Sequence, residues 1–100
     1  MQLQNYNCIC TQYALTVDVP LHLVPRRKTD SSFILNQKSR ICKLNSNMLN
    51  SILIVKRASG YEKQVRYSCF NCSSLIAYTQ NNNFIYIIDQ AVIQGNVIQV

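Results

Sequence analysis

Two close cysteine pairs, Cys8-x-Cys10 and Cys69-x-x-Cys72, constrain this chain more than any other feature. The chain has 100 residues, of which 48% are hydrophobic. A chain of that size buries a modest fraction of its surface, so a staple between distant segments adds much to its stability. Residues 11–68 separate the two pairs. Joining them would remove a large share of the unfolded chain's freedom.

The kind of staple depends on the redox compartment. The start, MQLQNYNCICTQ, has no basic segment followed by an apolar run of about 7–15 residues, so no secretory signal is read. The longest apolar runs, ILIV (52–55) and FIYII (84–88), fall far short of the ~20 residues of a spanning helix. The expectation is a soluble chain of the cytoplasm or nucleus, where thiols stay reduced and cysteine clusters bind metal more often than they form disulfides. Zn²⁺ takes four N/S ligands in a tetrahedron. Cys8, Cys10, Cys69 and Cys72 are therefore the expected ligands of one structural Zn²⁺. Disulfides or a redox pair, and buried unliganded thiols, are the alternatives. Cys42 is left over and reads as a free or half-buried thiol.

Helical signals are weak. Short runs rich in β-branched and aromatic residues recur between Asn, Ser, Gly and Pro clusters, which is a β pattern. YALTVDV (13–19) alternates as a half-buried strand should, and SFIL (32–35) is a short strand. SILIVKR (51–57), a turn through Gly60, and EKQVRYSC (62–69) read as a hairpin. SLIAYTQ (74–80) and FIYIID (84–89) read as a second hairpin around the turn NNN (81–83). AVIQGNVIQV (91–100) suggests a last hairpin turning at Gly95-Asn96. VPRRKTDSS (24–32) and the Asn-rich KLNSNMLN (43–50) read as loops, the second a mobile one. The predicted fold is mainly β: a small single domain over 1–100, built of β-hairpins and clamped by a four-cysteine zinc site, zinc-ribbon-like. No convincing internal repeat is visible.

Nothing points to catalysis. His22 is the only histidine, and it reads as a strand residue with its tip in water. The carboxylates Asp18, Asp30, Glu62 and Asp89 are far apart in sequence. Gly60 and Gly95 cannot make a phosphate-cradling loop. A closed four-thiolate site leaves no position for a reacting water.

The chain carries ten Lys/Arg against four Asp/Glu, a formal charge of +6. Four thiolates holding one Zn²⁺ would lower that excess without cancelling it. Such a balance favours an anionic partner. Arg26, Arg27 and Lys28 form one cluster. Lys56 and Arg57, with Lys63 and Arg66, fall at one end of the first hairpin and read as a positive patch. Tyr61 and Tyr67 lie among these charges, as in surfaces that stack RNA bases. A solvated face that keeps the chain soluble accounts for the same residues.

These motifs together resemble the STING ER exit protein (STEEP) family. YNCICTQYALTVD (6–18) resembles its Y-x-C-x-C-x-Q strand. LVPRRKTDSSFIL (23–35) is similar to its L-P-x-R-x-x-D-x-S-x-V-I segment, through Pro25, Arg27, Asp30 and Ser32. KRASGYEKQVRYSCFNCSSLIAYTQ (56–80) resembles its R-x-x-G-x-E-[RK]-Q-x-R-x-x-C-x-x-C block, through Arg57, Gly60, Glu62, Lys63, Gln64, Arg66, Cys69 and Cys72. IIDQAVI (87–93) is similar to its I-V-D-G-A-V-V segment. The family places Gly after each cysteine pair; Thr11 and Ser73 stand there in this chain, which implies a strained or differently turned knuckle. The family's long, charged, helical C-terminal tail has no counterpart within these 100 residues. The resemblance implies a non-enzymatic adaptor with protein partners in ER export, linked to phosphoinositide and membrane curvature and peripherally associated with the membrane. The alternative it implies is a spliceosome-associated nuclear protein whose basic face contacts RNA or RNP partners.

Overall fold

The computed structural model describes residues 2–80 and 82–99. Nine β-strands follow in order among them: β1 (Gln2–Cys8), β2 (Tyr13–Val17), β3 (Phe33–Asn36), β4 (Cys42–Leu44), β5 (Asn47–Arg57), β6 (Gly60–Ser68), β7 (Leu75–Thr79), β8 (Phe84–Ile87) and β9 (Val92–Gln99). One 3₁₀ turn, Leu21–Leu23, interrupts them and carries His22 into solvent. The strands form two antiparallel sheets, in the orders β4-β2-β1-β9 and β3-β8-β7-β6-β5. The mainly β expectation holds, and the described residues contain no α-helix.

Both sheets contribute one apolar face to a shared core. Tyr6, Leu15 and Val17 come from the first sheet, and Leu35, Ile76, Ala77, Ile85 and Ile87 from the second; Cys8 and Cys69 close one end of it. Alternate positions face inward, as strand geometry requires. Tyr6 brings a polar tip with it, and the Leu21 N–H satisfies that tip by donating to Oη at 2.8 Å.

Two of the bulges break the alternation in the core. Tyr6 faces Leu15 but Asn7 faces Tyr13, so Ala14 is an extra residue in β2. Tyr67 faces Ala77 but Ser68 faces Leu75, so Ile76 is extra in β7. A bulge turns two neighbours towards one side. Ala14 and Leu15 are therefore both buried, as are Ile76 and Ala77, while Tyr78 is buried on the other face of the sheet.

The first predicted hairpin appears as β5–β6, with Gly60 at φ +138° beside its turn. The second appears as β7–β8; Phe84 N–H donates to Asn82 Oδ1 at 3.0 Å in its turn, while Asn81 lies outside the described residues. Three expectations need correction. His22 lies in the 3₁₀ turn that follows Pro20 and not in a strand. Residues 43–50 are not a mobile loop: β4 and the start of β5 occupy most of that stretch. Gly95-Asn96 does not turn the chain either. The strand β9 runs through it and pairs with β1, where Gln4 faces Val97 and Tyr6 faces Gln94. Gly95 and Asn96 thus oppose the single residue Asn5, which makes the turn-prone pair a bulge. A Cβ on Gly95 would lie 3.0 Å from the Asn7 amide.

Candidate metal centre

Two hairpin ends build the centre in the same way. At the end of β1, the Cys8 N–H donates to the Gln12 carbonyl at 2.8 Å and the Thr11 N–H to the Cys8 carbonyl at 2.8 Å. At the end of β6, the Cys69 N–H donates to the Ser74 carbonyl at 2.8 Å and the Ser73 N–H to the Cys69 carbonyl at 3.0 Å. Thr11 has φ 81° and Ser73 φ 64°. The residue after each second cysteine therefore takes the left-handed conformation that folds the chain back sharply. These are the two positions where the family resemblance implies glycine. The expected strain is present in both knuckles.

The two knuckles face each other. All four sulfurs lie within 4.8 Å of one another, with Cys8 Sγ 3.5 Å from Cys72 Sγ and Cys10 Sγ 3.5 Å from Cys69 Sγ. A tetrahedron with Zn–S bonds of about 2.3 Å has sulfur–sulfur edges of about 3.8 Å. The spacing fits a four-thiolate ion site. Among the described residues this is the one cluster of three or more Cys, His, Asp or Glu side chains placed to hold a metal.

The surroundings supply the remaining requirements of such a site. The Asn71 backbone N–H donates to Cys69 Sγ at 3.4 Å, and its side-chain amide donates to Cys10 Sγ at 3.5 Å. Ser74 Oγ lies 3.2 Å from Cys72 Sγ. The Asn71 amide brings the Cys10 thiol down to about 6, and Ser74 lowers that of Cys72. Burial pushes the Cys8 thiol up to about 12. Without a cation, Cys8 is therefore held protonated. A divalent ion against its sulfur reverses that preference, since a coordinating thiol ionises outright. Four soft donors with no oxygen or imidazole ligand favour Zn²⁺ over the hard cations. Cys42 stands apart on β4, half-buried; burial, and then Asp18, push its thiol up to about 11.

The basic residues do not converge on one patch. Arg27 grips Glu62 with two hydrogen bonds, Nη1 to Oε1 at 3.2 Å and Nη2 to Oε2 at 3.0 Å, and donates to Tyr78 Oη at 2.6 Å. Arg57 Nη2 donates to Glu62 at 3.0 Å and to Asp30 at 3.4 Å. Tyr78 Oη donates to Asp30 Oδ2 at 2.5 Å, and Gln64 Nε2 donates to Glu62 Oε1 at 2.7 Å. Arg66 Nε donates onward to Gln64 Oε1 at 3.1 Å. The Arg27 guanidinium also lies 4.9 Å from the Tyr86 ring centre. This network fastens the 24–32 loop across the outer face of the second sheet. Arg27 holds the Glu62 carboxyl at about 2. Burial works against ionising Asp30, but Tyr78 and Ser32 outweigh it and keep its carboxyl below the usual range. Arg26 is paired with Asp89 at 3.1 Å and lies over the Phe33 ring at 4.2 Å.

Lys56 and Lys63 stand on the opposite face of the β5–β6 hairpin, exposed. Lys28 is exposed too, and none of these three lysines has an ion pair among the described residues. Reading cations alone missed this network. Asp30 and Glu62 sit in the same motif blocks as Arg27 and Arg57, so the signal was the matched signs within them.

Comparison with known proteins places this geometry in context. A family model described as the STEEP1 domain matches residues 1–99. The STING ER exit protein of Drosophila melanogaster is 31% identical over 98 residues, covering 93% of this chain and 40% of that protein. The ER exit protein of Schizosaccharomyces pombe is 29% identical over 75 residues, covering 74% of this chain and 64% of that protein. The chain thus spans less than two thirds of the length of either relative.

Proposed function

The chain belongs to the STEEP1 domain family, and from that premise we propose that its 100 residues act as one zinc-stabilised, non-catalytic interaction domain in ER-to-Golgi transport. The observation that carries the reading is the closed set of four thiols, Cys8, Cys10, Cys69 and Cys72. Zn²⁺ held there would cross-link two hairpins that are far apart in sequence, and would leave no coordination position for a substrate. Binding energy then becomes folding energy. The relatives named for ER exit support a place at the ER and protein partners in export, with the phosphoinositide and membrane-curvature link as the finer part of the proposal. No helix among the described residues is long and apolar enough to cross a membrane, which is compatible with peripheral attachment.

Crosslinking followed by capture from cells tests this. Recovery of ER-export or phosphoinositide-kinase components is expected, and recovery of nuclear proteins alone would overturn it. One observation favours a second reading: Lys28, Lys56 and Lys63 lack ion pairs among the described residues, so cations remain for RNA or RNP partners. In that case RNA affinity falls steeply with salt, because phosphate contacts release counterions. RNA binding that is absent, or flat from low to high salt, would remove this reading.

A further inference from the structure

The core face of the second sheet does not end where its cover ends. Two cross-strand rows run across all five strands on that face. One is Leu35–Ile85–Thr79–Val65–Ile52, and the other is Phe33–Ile87–Ala77–Tyr67–Met48. Leu35 and Ile87 are 0% exposed, whereas Ile52 is 62% and Met48 55% exposed. The rows pass from core to solvent without changing chemistry. Ile54, beside Lys63 on the same face, is 63% exposed. Met48, Ile52, Lys63, Val65 and Tyr67 line a groove of about 450 Å³ there.

The groove runs along an open edge. β5 is the last strand of its sheet and pairs only with β6. The bulge between Met48 and Ile52 interrupts that pairing, and it resumes without a break from Ile52 to Arg57. Alternate residues of that stretch turn their N–H and C=O away from β6, where an added strand would receive them. Lys56 and Lys63 stand diagonally across this face, with no ion pair to a carboxylate among the described residues. The acidic side chains lie elsewhere: Asp30 and Glu62 are held by Arg27 and Arg57, Asp89 by Arg26, and Asp18 sits beside Cys42. Lys56 on the edge strand and Lys63 on its neighbour repel a second copy bearing the same lysines and attract an acidic partner.

We propose that this face is a docking groove for an extended polypeptide segment of another protein. Such a segment would add as a strand to β5, and every second side chain would face the groove, apolar over Met48 and Ile52 and acidic over Lys56 and Lys63. The proposal rests on the reading of the chain as an interaction domain and names the surface it would use. Selection from a display library of random peptides, each of about 12 residues, on the purified, zinc-loaded chain tests it. Enriched peptides should carry apolar residues and Asp or Glu in the same i, i+2, i+4 set of positions, and slow amide exchange along residues 52–57. Their affinity should fall about tenfold in a Lys56→Glu/Lys63→Glu variant. Both lysines are exposed, so that variant should keep its zinc and its fold; its zinc content and melting confirm this. Several results would overturn the proposal: no enrichment, enriched peptides without acids, binding mapped elsewhere, or affinity indifferent to charge reversal. Binding of phosphatidylserine vesicles through the same lysines without peptide enrichment would replace it with a lipid surface. Lysine-dependent dimers in ultracentrifugation would replace it with a second copy. Because the assay uses purified protein, failure of the trafficking reading would leave its outcome untouched.

Discussion

The β1–β2 and β6–β7 hairpins solve one problem twice, and their differences show which parts of the solution matter. In each, the first cysteine closes the hairpin through its N–H, the residue after the second cysteine takes positive φ, and a bulge follows four residues after that cysteine, at Ala14 or Ile76. The first cysteines, Cys8 and Cys69, are buried; Cys10 is half-buried and Cys72 exposed. Each first cysteine lies 3.5 Å from the second cysteine of the other hairpin. What the hairpins share is a backbone path. Spacing and residue identity vary around it. The extra residue of the longer knuckle is Asn71, and it donates to one sulfur of each hairpin. The longer loop thus stabilises charge for both.

Loss of the shared centre should erase the comparison altogether. Metal analysis of purified protein should find one zinc per chain, and a chelator should abolish the cooperative melt. The apparent loss is on the order of 10 kcal/mol, since structural zinc binding is folding energy. Cys8→Ser should leave an unfolded chain, because a buried ligand is lost from the core as well as from the ion. Cys72→Ser, at the exposed corner, should retain weaker zinc binding. Equal melting with and without chelator would mean that packing alone joins the hairpins.

A second, smaller effect should separate them. Of the two knuckle hairpins the Arg27–Glu62–Arg57 network braces β6–β7, through Glu62 on β6 and Tyr78 on β7, and ties it to Arg57 of β5 and to the 24–32 loop. Glu62→Gln leaves Arg27 without a carboxylate and Arg57 with Asp30 alone, and should cost about 1–2 kcal/mol, less than a fully buried pair because the site is half-buried. Amide exchange should quicken in β6 and β7 and stay slow in β1 and β2. The sign with pH follows from the depressed carboxyl. Glu62 sits at about 2 in the fold against an ordinary value of 4.5. Its stabilisation is therefore full above about pH 4.5 and is lost as pH falls towards 2. The stability gap between the native chain and Glu62→Gln should close over that window. The gap is read at the pH values where both proteins still hold zinc, since thiolate protonation releases the metal and with it the fold. A gap that does not change with pH would rule out the ion pairs as its source.

The same contrast explains what could be read in advance. Cysteine pairs and the hairpins of 51–69 and 74–89 are local patterns, with turn residues between runs of strand formers, and they appear in the structure. The ion network is not local. Arg27 meets Glu62 and Tyr78 only after β6, β7 and the 24–32 loop are assembled, so a count of cations along the chain read as a patch. Gly95-Asn96 fails for a related reason. Glycine beside asparagine serves a turn or a bulge equally well, and pairing with β1 decides between them. Residues 43–50 are polar and Asn-rich, yet β2 and β6 offer edges that capture them as strands. In each case a distant partner overrode local propensity.

The smallest effects test whether the two knuckles carry the same strain. Thr11 and Ser73 are both exposed, so replacing either by glycine changes the backbone preference and little packing. Positive φ costs roughly 1–3 kcal/mol for a non-glycine residue, with β-branched residues at the high end. Glycine returns about 0.5–1 kcal/mol of that through the greater freedom of the unfolded chain. Thr11→Gly should therefore stabilise the zinc-loaded protein by about 1 kcal/mol. Ser73→Gly should fall close to zero, because serine is unbranched at Cβ and less strained at φ 64°. Chemical denaturation with zinc in excess measures both. Equal gains at the two sites would show that the strain belongs to the knuckle geometry itself, and that threonine's branched side chain adds nothing to it.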